Sequence, residues 1–124
     1  DTYNGRKINA PDGTSMWQVM TGKAQTVHPD SEAIGYELAG SSAVFKGKYK
    51  LSNNPPPKGT GEWELYDISI DPAELSNLAA AKPELVKEMT ADYSRYEKKN
   101  FLIPVPDGYN PLLQVLKNSE RIHH

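Results

Sequence analysis

Cysteine is missing from all 124 residues. That excludes disulfides, thiolate metal sites and a cysteine nucleophile within the chain, and it is compatible with any redox compartment. Long apolar runs are also missing, so no stretch is long enough for a transmembrane helix, and a membrane is not an expected partner. The N-terminal residues lack the apolar stretch of a signal peptide. The chain starts at Asp1 with no methionine, which fits processing or an excised segment. Basic excess is absent too: 14 Lys and Arg against 16 Asp and Glu leave a net charge of -2. Nucleic acid is therefore not an expected partner. With 37% hydrophobic residues and a mean hydropathy of -0.67, the core is expected to be small or completed by another surface.

Ten prolines and nine glycines punctuate what is present. Residues 1–12 read as a polar loop with turns at Asn4-Gly5 and Asp12-Gly13. Met16, Trp17, Val19 and Met20 follow Ser15, which predicts a helix of roughly two turns with Ser15 as N-cap and Gly22 beyond its end. Three strands follow: Ala33 to Leu38, Ser42 to Phe45, and Lys48 to Leu51, with turns at Gly40-Ser41 and Lys46-Gly47. Lysines 48 and 50 alternate with Tyr49 and Leu51, as in a sheet with one solvated face. Ser52 to Gly61, with three successive prolines, reads as an exposed loop.

Trp63, Leu65 and Tyr66 then make a fourth strand, with charge at Glu62, Glu64 and Asp67 on the other positions. Asp71-Pro72 breaks it. Pro83 opens the longest helix, whose apolar stripe is Leu85, Val86, Met89, Tyr93 and Tyr96, with Lys98 and Lys99 at the end that favours cations. Phe101 to Pro106 is extended, and Asn110-Pro111 caps a last short helix with Leu112, Leu113, Val115 and Leu116. The expected fold is α+β: a four-stranded antiparallel sheet, a long helix across one face, and short peripheral helices. The expected plan is a single subdomain over 1–124, divided into a loop and short helix (1–30), strands (31–70), turn and helix (71–99) and an extended tail (100–124).

The candidates for chemistry are few. Glu62 with Glu64, and Asp67 with Asp71 and Glu74, are paired carboxylates. General acid–base work needs two such groups converging from different environments. Two strand glutamates on one solvated face and an aspartate before proline fit structural roles better. His28 lies in a His-Pro-Asp loop near Asp30 and Glu32, but one histidine beside carboxylates is short of the three or four ligands a metal needs. It could serve as a proton donor or substrate contact if it faced a neighbouring domain's cleft. No Gly-x-Ser-x-Gly elbow and no phosphate-binding loop occurs. Tyr36, Tyr49, Trp63 and Tyr66 could stack on sugars or bases, and at alternating positions they read first as sheet core. No catalytic, cofactor-binding or metal residue is assigned. His123-His124 are given no site role.

The segment Leu65-Tyr66-Asp67-Ile68-Ser69-Ile70-Asp71-Pro72-Ala73-Glu74-Leu75-Ser76-Asn77-Leu78-Ala79 resembles the C-terminal signature of type I sulfatases, a Leu-Tyr-Asp-Leu strand followed by Asp-Pro-x-Glu-x-x-Asn-Leu-Ala. Upstream, Gly35 to Gly40 and Ala43 to Leu51 resemble strands of the bacterial arylsulfatase branch, with Phe45 where arginine is usual. The resemblance covers roughly residues 13 to 100. It implies the C-terminal subdomain of an enzyme of the alkaline-phosphatase-like superfamily, packed on a catalytic α/β domain of the same polypeptide. It also implies that the parent uses calcium and a formylglycine made from Cys or Ser in a Cys/Ser-x-Pro-x-Arg motif. Neither that motif nor an Asp-Asn pair occurs here, so none of those residues has a counterpart in the chain. Two other readings stay open: an autonomous carbohydrate- or peptide-binding module, and the same subdomain of a phosphonate or phosphate monoester hydrolase.

Overall fold

The computed structural model describes residues 2–9, 13–106 and 108–122, with the side chains at 111, 112 and 120–122 left aside. The Asp12-Gly13 turn, the histidine pair and Leu112 of the last apolar set thus lie outside what is described. The chain forms two compact units, residues 1–30 and residues 31–124.

In the first unit, Thr2–Tyr3 (β1) and Arg6–Lys7 (β2) pair antiparallel around Asn4 and Gly5. This corrects the loop expected for residues 1–12. Asn4 and Gly5 both take positive φ, as a two-residue hairpin turn of this type demands. The helix α1, Trp17–Met20, is one turn rather than two. Met16 holds the N-cap position, and Ser15 Oγ only accepts a 3.3 Å hydrogen bond from the Trp17 amide. Gly22 follows the C-cap Thr21 with φ +70°.

The second unit is α+β. Ala33–Leu38 (β3), Ser41–Lys46 (β4), Tyr49–Asn53 (β5) and Trp63–Asp67 (β6) form an antiparallel meander in that order. The turn between β4 and β5 is Gly47-Lys48, one residue later than expected. β5 runs on to Asn53, and Ser52 is buried, which corrects the exposed loop expected from Ser52 onwards. The helix α2, Pro83–Asn100, starts on its proline and ends at Phe101 in the left-handed region, φ +53°. A last helix, α3, spans Pro111–Ile122, and the Asn110 Oδ1 accepts from the Leu113 amide.

Register decides the two faces. Gly35, Val44, Leu51 and Leu65 stand across from one another in successive strands. By strict alternation they share a face, and Val44, Leu51 and Leu65 pack with Met89 and Tyr93 of α2 as the core. The other face carries Ile34, Phe45, Lys50 and Tyr66 in one row and Tyr36, Ala43, Ser52 and Glu64 in the next. Asp67 shares the core-facing parity of Leu65 and is buried, not on the solvated side expected for it.

Candidate functional site

The signature segment after β6 is built from three polar clasps. Asp71 comes first. Its amide donates to the Asp67 carbonyl at 2.9 Å, and its two carboxylate oxygens accept from the Leu75 and Ser76 amides at 3.1 and 2.8 Å. An aspartate before proline suits this, because a short side chain can satisfy amides that a turn leaves without partners. Glu74 follows with φ +56°, and its carboxylate lies 2.5 Å from Lys50 Nζ on β5. The turn thereby reaches back over the strand face that carries Lys50 and Tyr66.

Asn77 is the third clasp. Leu65 lies in the edge strand, so its amide and carbonyl would face outward without partners, a cost for buried backbone. Asn77 Oδ1 accepts from that amide at 3.1 Å, and the Leu78 amide donates to the Leu65 carbonyl at 2.7 Å. The same Asn77 Oδ1 accepts from the Ala79 amide at 2.9 Å. Leu78 and Ala79 pack against the core. Asn-Leu-Ala therefore closes the sheet edge with polar atoms and apolar side chains together.

Asp67 holds the start of this turn. Its carboxylate lies 2.7 Å from Lys48 Nζ and accepts from the Ser69 hydroxyl at 2.6 Å and the Ser69 amide at 3.2 Å. The Lys48 ammonium first, and then the Ser69 hydroxyl, hold its pKa below the ordinary carboxylate value. Across the sheet, Lys46 bridges to Asp92 at 3.0 Å and to Glu88, and Arg95 also meets Asp92. Hydrogen bonds to Glu88, then Asp92, raise the Lys46 pKa. This network was not foreseen in sequence; its only signal was charge at 88, 92 and 95, one helical turn apart.

The expected candidates are not brought together. Glu62 lies before β6 and is exposed, while Glu64 is half-buried within it. Asp67, Asp71 and Glu74 serve separate clasps. His28, in the segment that follows α1 in the chain, is half-buried. Among the described residues no group of three or more His, Asp or Glu side chains could hold a metal ion. The four aromatics divide: Trp63 and Tyr49 pack against the core, and Tyr66 is buried on the opposite face. Tyr36, expected in the sheet core, is 50% exposed instead. An open concavity of about 440 Å³ lies between the β3–β4 turn, the proline loop and residues 105, 106 and 108–110. Its described lining includes Pro55, Val105 and Tyr109.

No family model matches the chain. An uncharacterized sulfatase of Schizosaccharomyces pombe is 35% identical over 107 residues, which is 86% of this chain and 19% of that protein. A solved sulfatase structure, described with the metabolism of multiple glycosaminoglycans by Bacteroides thetaiotaomicron, matches with a TM-score of 0.59 and 26% identity. That match covers 71% of this chain and 20% of the other. The chain is a sulfatase homologue, and its sheet-and-helix unit is that of a sulfatase C-terminal subdomain. It spans about a fifth of the length of the sulfatases it matches.

Proposed function

We propose that the chain is the C-terminal portion of an arylsulfatase, a sulfuric ester hydrolase of the bacterial branch, and that its role is structural. The observation that carries this is the use of the signature residues. Both carboxylate oxygens of Asp71 and Oδ1 of Asn77 accept from backbone amides, and Glu74 Oε1 meets Lys50, so these side chains are engaged in holding the turn. The catalytic centre then belongs to an α/β domain of the same polypeptide, and this subdomain supports one wall of it. The resemblance assigns calcium and formylglycine to the parent enzyme. Residues of this chain do not fit either group: there is no cysteine and no Ser-x-Pro-x-Arg, and the described carboxylates do not cluster. Both groups therefore stay with the remainder of the enzyme.

Incubating the isolated chain with 4-nitrophenyl sulfate and calcium tests this reading. Nitrophenolate release at the blank rate is expected, and turnover abolished by Asp71→Ala would overturn it. A second reading, a binding module for carbohydrate or peptide, is favoured by the exposed Tyr36 ring. It predicts ligand-induced NMR shifts at Tyr36 and none at the Trp63–Tyr93 pair on the helix-covered face.

A further inference from the structure

Helix α2 covers one face of the sheet, and the turn through Glu74 reaches the β5–β6 end of the other. Along β3 the described residues leave that second face exposed, although Ala43 beside it on β4 is buried. There Ile34, Tyr36 and Leu38 are 41%, 50% and 61% exposed, a run in which every other residue of β3 presents apolar surface. A contiguous exposed apolar patch on a strand face marks an interaction surface. Between Tyr36 and Phe45 the face sinks into a concavity of about 140 Å³, which Ser52 also lines. Ser52 is buried, and its hydroxyl makes no hydrogen bond among the described residues. A buried hydroxyl without a partner costs free energy that a hydrogen bond from an incoming group would recover.

Resting on the structural reading above, we propose that this open face is where the remainder of the sulfatase polypeptide docks. A polar side chain from that remainder enters between Tyr36 and Phe45, displaces the side chains that close Ser52 Oγ off from solvent, and hydrogen-bonds to it. Length argues for this occupant: the sulfatases matched here have about four-fifths of their residues outside the matching part. A tethered partner also acts at high effective concentration, which favours it over a second copy of this chain. The first face is excluded as the main contact because α2 already fills it with Met89 and Tyr93.

The chain is free of cysteine, so single substitutions Tyr36→Cys, Phe45→Cys and, on the exposed side of α2, Lys87→Cys give clean probes. Each is placed in the isolated chain and in a fusion where the chain replaces the matching segment of the fission yeast sulfatase. A maleimide pulse followed by peptide mass mapping reads the labelling rates. Docking through this face slows labelling at 36 and 45 by at least tenfold in the fusion and leaves 87 unchanged. Equal rates at 36 and 45 in a fusion that melts as one unit, or protection at 87 instead, would overturn the proposed face while leaving the structural role intact. Separate melting with no protection anywhere would remove the structural role itself. Protection already present in an isolated chain that sediments as a dimer would assign the face to a second copy. Should the fusion not fold, Ile34→Thr with Tyr36→Thr decides on the isolated chain. An uncovered face changes the melting temperature by less than about 3 °C, and a drop above about 5 °C shows that the chain covers it itself and refutes the proposal.

Discussion

The ring of Tyr96 lies directly on the backbone of Gly35: a methyl group added at Gly35 would fall 2.2 Å from the ring's Cγ. Helix α2 thus approaches β3 at a spot where a side chain has no room. Gly35→Ala forces the ring or the helix outward, and such overpacking costs about 1–3 kcal/mol. Thermal or urea unfolding of Gly35→Ala should show that loss, and in a Tyr96→Ala background the same change should cost far less. Equal costs in both backgrounds would disprove the contact.

Asp92 is 8% exposed and receives both Lys46 and Arg95. Asp92→Ala leaves Lys46 with Glu88 alone and should lower stability by about 1–3 kcal/mol. Glu88→Ala removes a carboxylate that is itself 56% exposed and should cost under about 1 kcal/mol. Urea melts of the two variants check the order, and the reverse order would refute it.

Tyr93 combines a 2.7 Å hydrogen bond between its hydroxyl and Ser42 with an edge-on contact to Trp63, ring centroids 5.3 Å apart. Tyr93→Phe should cost about 0.5–1.5 kcal/mol, and Tyr93→Ala about 3–5 kcal/mol because the ring leaves a cavity in the core. Burial raises the phenol's pKa, so absorbance at alkaline pH should show Tyr93 ionising above the ordinary phenol value.

Asp67 gives the chain an acid-sensitive element. Its folded pKa lies below the ordinary carboxylate value because Lys48 and Ser69 favour the ionised form. The unfolded chain therefore takes up this proton first as the pH falls. The resulting stability is complete above the unfolded value and is lost as pH drops through the folded one. As the pH falls below the ordinary carboxylate range, about 4, Asp67→Asn should lose stability less steeply than the unsubstituted chain. A matching slope for both would show that Asp67 is not responsible.

The strands were legible where alternation was strong: the expected Ala33 to Leu38 is β3 as observed. The long helix was legible from Pro83 and the spacing of Met89, Tyr93 and Tyr96. The hairpin Thr2–Tyr3 with Arg6–Lys7 was not, because two-residue strands carry no periodicity to detect. Alternation also separates two faces without saying which one a helix will cover, so Tyr36 and Trp63 looked equivalent. The burial of Ser52 was hidden for a related reason: a serine among Asn53, Asn54 and prolines reads as loop until the pairing with Ala43 is known. In the signature, the pattern Asp-Pro-x-Glu-x-x-Asn-Leu was visible, and Asp71 read correctly as a turn residue. That Asn77 serves the Leu65 amide depends on a contact twelve residues apart, which local reasoning does not supply.

On the proposed reading, the residues that carry the sulfatase likeness serve to hold the fold. Thermal denaturation of Asp71→Ala combined with Asn77→Ala tests this most directly. The pair removes acceptors for the Leu75, Ser76, Leu65 and Ala79 amides. At about 1–3 kcal/mol for the buried Leu65 amide alone, the melting temperature should fall by about 8 °C or more. A melting temperature within about 1 °C of the unsubstituted chain would contradict the account.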